Sequence, residues 1–448
     1  ILNGNAGHLS SLQCGKSAQP RRISAGAASS MRTASQSNRL ATPCRSDDMG
    51  TMTGASKTVT LPDSAPLDVE GHQAQILVDA DSRLERYVRL IDDASRSVEI
   101  IIYILDDDAV GRRVRDALVR AAKRGVAVRI IVDSFGSGDT GTDFFTPLRL
   151  AGGDVAFFSR RWRSSYLIRN HQKLLLVDGR TAFVGGFNLA DSYFDKASAV
   201  GWSDLGLVLA GPQVAAMADW FDQLFAFTRD SDGKWLAFRR LLRRWQETHR
   251  PVGPLQWLVG GPTERLSPWA RSIRTDLAVG RRIDMVMAYF SPGQGMLRRM
   301  GRAGGRGPVR LITAAKSDNG ATIGAARLLY RYLLRKRVTI LEYQPQRLHM
   351  KLIVVDDIVY IGSANFDMRS LFVNLELMLR IEHSGLAAQA RALIDAIADE
   401  SERVTRDWIK ARGGWLTRLR WVLSWFVVST LDYTVARRLN FGLEVDQS

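Results

Sequence analysis

Two histidines stand in matching company. His171 is followed by Lys173 and Asp178, and His349 by Lys351 and Asp356. Between each lysine and aspartate lie four apolar residues, LLLV at 174–177 and LIVV at 352–355. Side chains alternate faces along a strand, so a histidine and a lysine two positions apart point the same way. An imidazole and an ammonium side by side at the start of an apolar strand make a ready pair for a phosphate. A neutral imidazole can attack a phosphodiester phosphorus, and an imidazolium can protonate the departing alkoxide. Two such histidines facing each other across one phosphorus supply both functions. A single H-x-K-x4-D match arises by chance in a chain of this length with a probability on the order of a few per cent, but two in similar contexts do not.

The surrounding pattern predicts elements that would hold these residues. An amphipathic helix over 81–94 precedes the β-run 97–105, and an Ala- and Arg-rich helix over 108–124 leads to a strand over 126–134. Strand, helix and strand recur at 282–290, 294–303 and 309–314. This alternation predicts βαβ units and an α/β fold with largely parallel sheets buried on both faces. The segments 170–191 and 348–370 can be laid over one another without a gap for 19 positions, their starts 178 residues apart, so the chain reads as a duplicated domain. The expected boundaries are a disordered basic tail over 1–60, a first lobe over 70–250 and a second over 251–448. The junction falls at AFRRLLRRWQETHR (237–250) and the Pro/Gly-rich 251–262.

The doubled motif, with GGFN (185–188) and GSAN (362–365) downstream, resembles the phospholipase D superfamily. The likeness extends over about 70–435. DDDAVGRRVRDAL after the first strand, AFVGGFNLAD, and EYQPQRLHMKLIVVDD with GSANFDMRS and NLEL are similar to the bacterial cardiolipin synthase branch. The resemblance implies two α/β lobes with mixed, largely parallel sheets about a pseudo-twofold, and one shared active-site cleft. It also implies phosphatidyl transfer through a phosphohistidine. His171 is taken as nucleophile and His349 as general acid and then base, although near-symmetric copies leave the reverse assignment open.

Within that scheme Lys173 and Lys351 meet the charge on the non-bridging oxygens, joined by the amides of Asn188 and Asn365 and the hydroxyl of Ser363. The first copy has Gly186 where the second has Ser363. The resemblance points to Asp204 (GWSDLGL) and Glu376 (NLELML) as the acids that hold the other ring nitrogen of each histidine. Asp178 and Asp356 complete the motif, but they lie beyond the strand and are expected to hold the turn or the lobe interface. His8, His72, His249 and His383 are expected at the surface or at boundaries. No cofactor or metal is called for.

Charge and hydropathy bear on the substrate. With 62 basic and 46 acidic residues the chain carries +16, which favours polyanions, whether nucleic acid or anionic lipid. Both cysteines, Cys14 and Cys44, lie in the polar first segment, which excludes a disulfide framework or Cys-ligated metal in the body. RRWRSSYLIRN (160–170) mixes arginine with tryptophan and tyrosine, as suits phosphate headgroups at a bilayer interface or stacked bases. The C-terminal run with its apolar core at 421–431, flanked by Trp415, Trp421, Trp425, Arg418, Arg420, Arg437 and Arg438, is too short to span a bilayer. It reads either as an interfacial helix or as a core helix on the second lobe. The resulting expectation is a cardiolipin-synthase-type phosphatidyltransferase, similar to the shorter members without N-terminal transmembrane helices. It would sit peripherally on the cytoplasmic membrane and use phosphatidylglycerol, with phosphatidylglycerol or phosphatidylethanolamine as the second lipid. An anionic phospholipid membrane is its expected partner, with no stable protein partner. The alternatives are a phospholipase D-type hydrolase or a nuclease of the same superfamily, nucleic acid being the less favoured substrate.

Overall fold

The computed structural model describes residues 61–158, 168–196, 201–230, 235–250, 252–262 and 266–431. The basic first segment with its cysteines, most of RRWRSSYLIRN, and Arg437 and Arg438 lie outside the described residues. The first half contributes β1 (Leu67–Val69), β2 (His72–Leu77), β3 (Ser97–Ile102), β4 (Ala127–Asp133), β5 (Asp154–Phe158), β6 (Leu174–Val177), β7 (Thr181–Gly185), β8 (Trp202–Ser203) and β9 (Gly206–Ala210). The second contributes β10 (Leu255–Val259), β11 (Ile283–Met287), β12 (Phe290–Ser291), β13 (Val309–Ala314), β14 (Val338–Tyr343) and β15 (Arg347–Leu348). After these come β16 (Lys351–Val355), β17 (Ile358–Gly362), β18 (Phe366–Asp367), β19 (Leu377–Glu382) and β20 (Ser401–Arg403).

Each half builds one eight-stranded sheet, in the order β1-β2-β9-β7-β6-β3-β4-β5 and β10-β19-β17-β16-β11-β13-β14-β20. The sheets are mixed, and parallel pairing is narrower than the βαβ pattern suggests. Within the two eight-stranded sheets it is confined to β3-β4-β5 and β11-β13-β14, where the crossover helices Ala109–Lys123 and Gln294–Ala303 return the chain. The motif strands enter antiparallel, because tight turns join β6 to β7 and β16 to β17, and a two- or three-residue turn can connect only antiparallel neighbours.

The motif strands are buried on both faces. Leu174 and Leu176 join the core shared between the halves, while Leu175 and Val177 face the helices of the first half. Leu352 and Val354 repeat the first role, and Ile353 and Val355 the second. The period of two thus explains why all four positions are apolar.

The two turns differ by one residue, which corrects the ungapped superposition. Val177 pairs with Thr181 across Asp178, Gly179 and Arg180, whereas Val355 pairs with Ile358 across Asp356 and Asp357 alone. In the first turn Asp178 and Gly179 sit at φ 54° and 64°, the left-handed pair of a type I′ turn. Once that residue is allowed for, Gly186 falls opposite Ser363 and Asn188 opposite Asn365.

The halves are stitched at the motifs themselves. β15 pairs in parallel with β8 of the first half, Arg347 beside Trp202 and Leu348 beside Ser203. Reciprocally, Asn170 bridges to Leu375. The His349 N–H donates to the Ser203 carbonyl at 2.8 Å and the His171 N–H to the Leu375 carbonyl at 2.9 Å. Exchanging the two halves maps one contact onto the other, as the expected pseudo-twofold requires.

Candidate active site

Because each histidine strand begins by pairing with the opposite half, each imidazole meets the acid of the opposite half. His171 Nδ1 lies 3.0 Å from Glu376 Oε2, and His349 Nδ1 lies 2.6 Å from Asp204 Oδ2. Both acids are fully buried. Burial alone would raise their pKa values, but the facing histidines and lysines hold both below the usual carboxylate range. With Nδ1 engaged by a carboxylate, Nε2 is the ring atom left for chemistry in each case.

The lysines belong to the same cluster. Lys173 Nζ donates to the His171 carbonyl at 2.9 Å and stands 5.1 Å from the Tyr103 ring centroid. Lys351 Nζ lies 2.7 Å and 2.9 Å from the two ring nitrogens of His349. A Cβ placed on Gly186 would lie 3.0 Å from Lys351 Cδ and 2.6 Å from Asp204 Oδ1. The second half's lysine therefore reaches into the first half, and only glycine leaves room for it there.

Burial lowers Lys173 to about 7 and Lys351 to about 8, in each case opposed by the nearby acids. Burial likewise lowers His171 to about 4, with Glu376 opposing and Lys173 adding to the fall. His349 falls to about 3 through burial and the adjacent Lys351, with Asp204 opposing. At neutral pH the site without substrate holds two neutral imidazoles beside two basic side chains whose charge is easily lost.

The remaining sequence-predicted residues divide. Ser363 Oγ donates to Glu376 Oε2 at 2.5 Å and accepts the Leu377 N–H at 3.0 Å, so its one proton is committed to the acid. Asn188 is buried and its Oδ1 accepts the Ile104 N–H at 3.2 Å. Asn365 is buried, and among the described residues its Oδ1 has no hydrogen-bond partner.

Asp178 and Asp356 stand apart from the imidazoles. Four strand residues separate Asp178 from Lys173, about 16 Å of chain. The Asp178 carboxylate accepts the N–H groups of Ser95, Arg96 and Ser97 at 2.7–3.2 Å and the Ser95 hydroxyl at 2.8 Å. Asp356 accepts the N–H groups of Arg281 and Arg282 at 2.8–3.1 Å. Both pin the start of the neighbouring strand to the motif turn, so these members of the candidate catalytic set are positioning residues.

Several contributors were not singled out from the sequence, although Ser370 and Asn374 lie within GSANFDMRS and NLEL. Ser370 Oγ and Asn374 Nδ2 donate to Glu376 Oε1 at 2.8 Å and 3.3 Å. Arg83 is buried and donates to the carbonyls of Asp204, Tyr193 and Val78, bracing the loop that carries Asp204. Asp133 Oδ2 accepts the Asn170 N–H at 2.7 Å, directly before His171, and burial raises its pKa to about 6 against the pull of three backbone N–H groups. Rings surround the imidazoles: Tyr103 lies 4.9 Å from His171, and Tyr193, Trp202 and Tyr289 lie 5.2, 5.3 and 6.2 Å from His349. Tyr103 follows β3 and Tyr289 follows β11, each just beyond the strand end.

His8 lies outside the described residues, and the other described histidines lie outside this cluster. His72 is buried rather than superficial: its Nδ1 faces the Val69 and Glu70 carbonyls and its Nε2 accepts the Gln213 N–H. His249 stacks on Trp245, and His383 caps the helix Ser384–Asp399.

Comparison with known proteins agrees with the duplicated fold. The family model described as "Cardiolipin synthase, PLD-like domain" matches residues 87–225 and again 277–398. Cardiolipin synthase A of Pseudomonas fluorescens is 28% identical over 345 residues, 75% of this chain and 70% of that protein. Cardiolipin synthase B of Salmonella typhimurium is 29% identical over 364 residues, 76% of this chain and 85% of that protein. Cardiolipin synthase 1 of Bacillus cereus is 30% identical over 323 residues, 68% of this chain and 62% of that protein. The crystal structure of phosphatidylserine synthase from Haemophilus influenzae superposes with a TM-score of 0.64 over 83% of this chain and 96% of that chain. At 13% identity it speaks for the fold alone.

Proposed function

The chain belongs to the cardiolipin synthase, phospholipase D-like family, and from that premise we propose that it joins phosphatidyl groups through a phosphohistidine at the surface of the cytoplasmic membrane. The reading rests above all on one observation: each motif histidine is gripped at Nδ1 by a buried acid of the opposite half. That grip leaves two Nε2 atoms, one from each half, for a single phosphodiester.

In the first step His171 Nε2 attacks the phosphorus of phosphatidylglycerol. The P–O bond to the headgroup glycerol breaks, and that oxygen takes a proton from His349 Nε2. His349 is neutral in the empty site, and the anionic phosphodiester favours its protonated form. Lys173 and Lys351 meet the non-bridging oxygens, and Lys351 leaves the His349 ring to do so. Asn188 and Asn365 add amide donors at the same oxygens, while Ser363 acts one step back by holding Glu376.

In the second step a hydroxyl of another lipid, phosphatidylglycerol or phosphatidylethanolamine, gives its proton to His349 and attacks phosphorus. The P–N bond breaks and His171 is released. Two phosphatidylglycerols thus yield one cardiolipin and one glycerol. Glu376 and Asp204 fix the tautomers and stabilise the imidazolium as it forms. Among the described residues no helix is long and apolar enough to cross a membrane.

The test is incubation of the purified protein with phosphatidylglycerol vesicles and analysis of lipid and water-soluble products. Cardiolipin with stoichiometric glycerol supports the proposal. Phosphatidic acid alone makes the enzyme a hydrolase, and cleavage of oligonucleotides without lipid turnover makes it a nuclease.

A further inference from the structure

Seven large apolar side chains that stand in solvent belong to one segment. Trp415, Leu416, Leu419, Val422, Leu423, Phe426 and Val427 are 46–75% exposed along the helix Trp415–Trp425 and the π-helical turn Phe426–Leu431. The opposite face is packed: Trp421 and Ser424 are buried, and a Cβ on Gly324 of the helix Gly320–Arg335 would lie 2.6 Å from Ser424 Oγ. The segment is therefore both a core helix and an apolar surface, the two readings its sequence offered.

At about 100° per residue the exposed apolar side chains cover an arc of roughly 140°. Arg418 falls on one edge of that arc and Arg420 on the other, and both are exposed. A contiguous stripe of this size is more than a soluble surface ordinarily carries. Its place in the fold is equally telling. Arg420 Nη2 comes within 3.8 Å of a Cβ built on Gly320, next to the exposed Asp318 loop. Asp318 accepts the Tyr289 hydroxyl at 3.1 Å, and the Tyr289 ring stands edge-on to His349 at 6.2 Å. The stripe therefore lies beside the exposed loop whose Asp318 holds Tyr289, the ring that stands against His349.

We infer that this helix lies in the plane of an anionic phospholipid bilayer, its stripe among the acyl chains and Arg418 and Arg420 at lipid phosphates. The loop at Asp318 then faces the headgroup layer, and a lipid reaches His349 without leaving the bilayer. Flanking arginines on a chain of +16 suit an anionic surface. A second copy seated on the stripe would bring four arginines together, a like-charge contact that disfavours that occupant. The docking itself is independent of the reaction; only its service to His349 rests on the proposed phosphatidyl transfer.

The experiment compares the full chain with Leu419→Glu/Leu423→Glu and with Arg418→Glu/Arg420→Glu, all at exposed positions. Co-sedimentation with phosphatidylglycerol–phosphatidylcholine vesicles is measured beside sedimentation equilibrium and turnover of a monomeric short-chain phosphatidylglycerol. Each pair of changes is expected to lower vesicle partition about tenfold or more while short-chain turnover stays within about twofold. Unchanged partition overturns the inference. So does a wild-type dimer that the leucine variant dissociates while vesicle binding persists. If partition falls as expected but no form turns over lipid, the docking surface stands and the phosphatidyltransferase reading fails.

Discussion

The two half-sites carry the same motif in different surroundings. Glu376, which faces His171, also receives Ser363, Ser370 and Asn374, so its charge is spread over a polar pocket. Asp204, which faces His349, is held by its own neighbour's N–H at 2.8 Å and by Arg83 on its backbone, while rings and Lys351 enclose the imidazole. The His171 side chain is 12% exposed and that of His349 5%. Duplication thus supplied two equivalent motif histidines, and divergence around them gave one a buried acid lined by hydroxyl and amide donors and the other a buried acid enclosed with rings and a lysine. That is the division of labour wanted of a nucleophile and a proton carrier.

The sharpest way to break the comparison is to delete each histidine. His171→Ala is expected to lower kcat by about 10⁴ or more and to abolish any covalent adduct. His349→Ala is expected to cost about 10²–10⁴ with phosphatidylglycerol, and far less with a donor whose leaving group needs no proton. Equal losses with both donors would erase the distinction.

The acids should follow the histidine they touch, not the one they neighbour in sequence. Glu376→Gln is expected to cost about 10²–10³ and to behave like His171→Ala in its insensitivity to leaving group. Asp204→Asn is expected to behave like His349→Ala. Ser363→Ala, acting through Glu376, should cost about tenfold. Single-turnover rates with both donors decide whether the pairing crosses the halves.

The pH profile of kcat/KM reports the same groups before substrate binds. The site titrates as a unit, so its limbs belong to the cluster. On the acid side activity is lost as the His171 end of the site protonates near 4, since a charged imidazole cannot attack. On the alkaline side it is lost near 7–8 as Lys173 and Lys351 shed their charge. A profile flat from about pH 6 to 10 would contradict the assignment of the lysines to the phosphate.

The smallest effect is expected at the motif aspartates. Asp178→Asn and Asp356→Asn should each cost about 1 kcal/mol of stability, allowing for partial exposure, and leave kcat within about threefold. Burial opposes it, but the N–H groups of Ser97 and Arg96 hold Asp178 down to about 2. Its folded pKa is depressed, so its stabilisation is present above the ordinary carboxylate pKa near 4 and fades as pH falls towards 2. Thermal unfolding of the wild type and Asp178→Asn between pH 2 and 6 measures this, the two curves converging at the acid end.

Much of this architecture was legible in the residues. The repeats LLLV and LIVV could be read as strands buried on both faces, and the predicted helix over 294–303 and strand over 309–314 match the observed elements. The acids Asp204 and Glu376 could be named but not paired, because their crossing depends on β15 and Asn170 reaching into the other half. Arg83 was illegible because an arginine on an amphipathic helix ordinarily faces solvent, and nothing local shows that its turn is roofed by Asp204 and Tyr193. The extra residue was legible in the spacing, since Asn188 lies 17 positions after His171 and Asn365 lies 16 after His349, but cross-strand register is what places it in the turn.

The most direct measurement is to quench the His349→Ala variant during reaction with an activated phosphatidyl donor and map the adduct by mass spectrometry under mildly alkaline conditions that preserve phosphohistidine. A phosphatidyl group on the peptide containing His171, absent from the His171→Ala/His349→Ala double variant, is the predicted result. Turnover with no adduct at any quench time, or an adduct elsewhere in the chain, would contradict two imidazoles sharing one phosphorus in these roles.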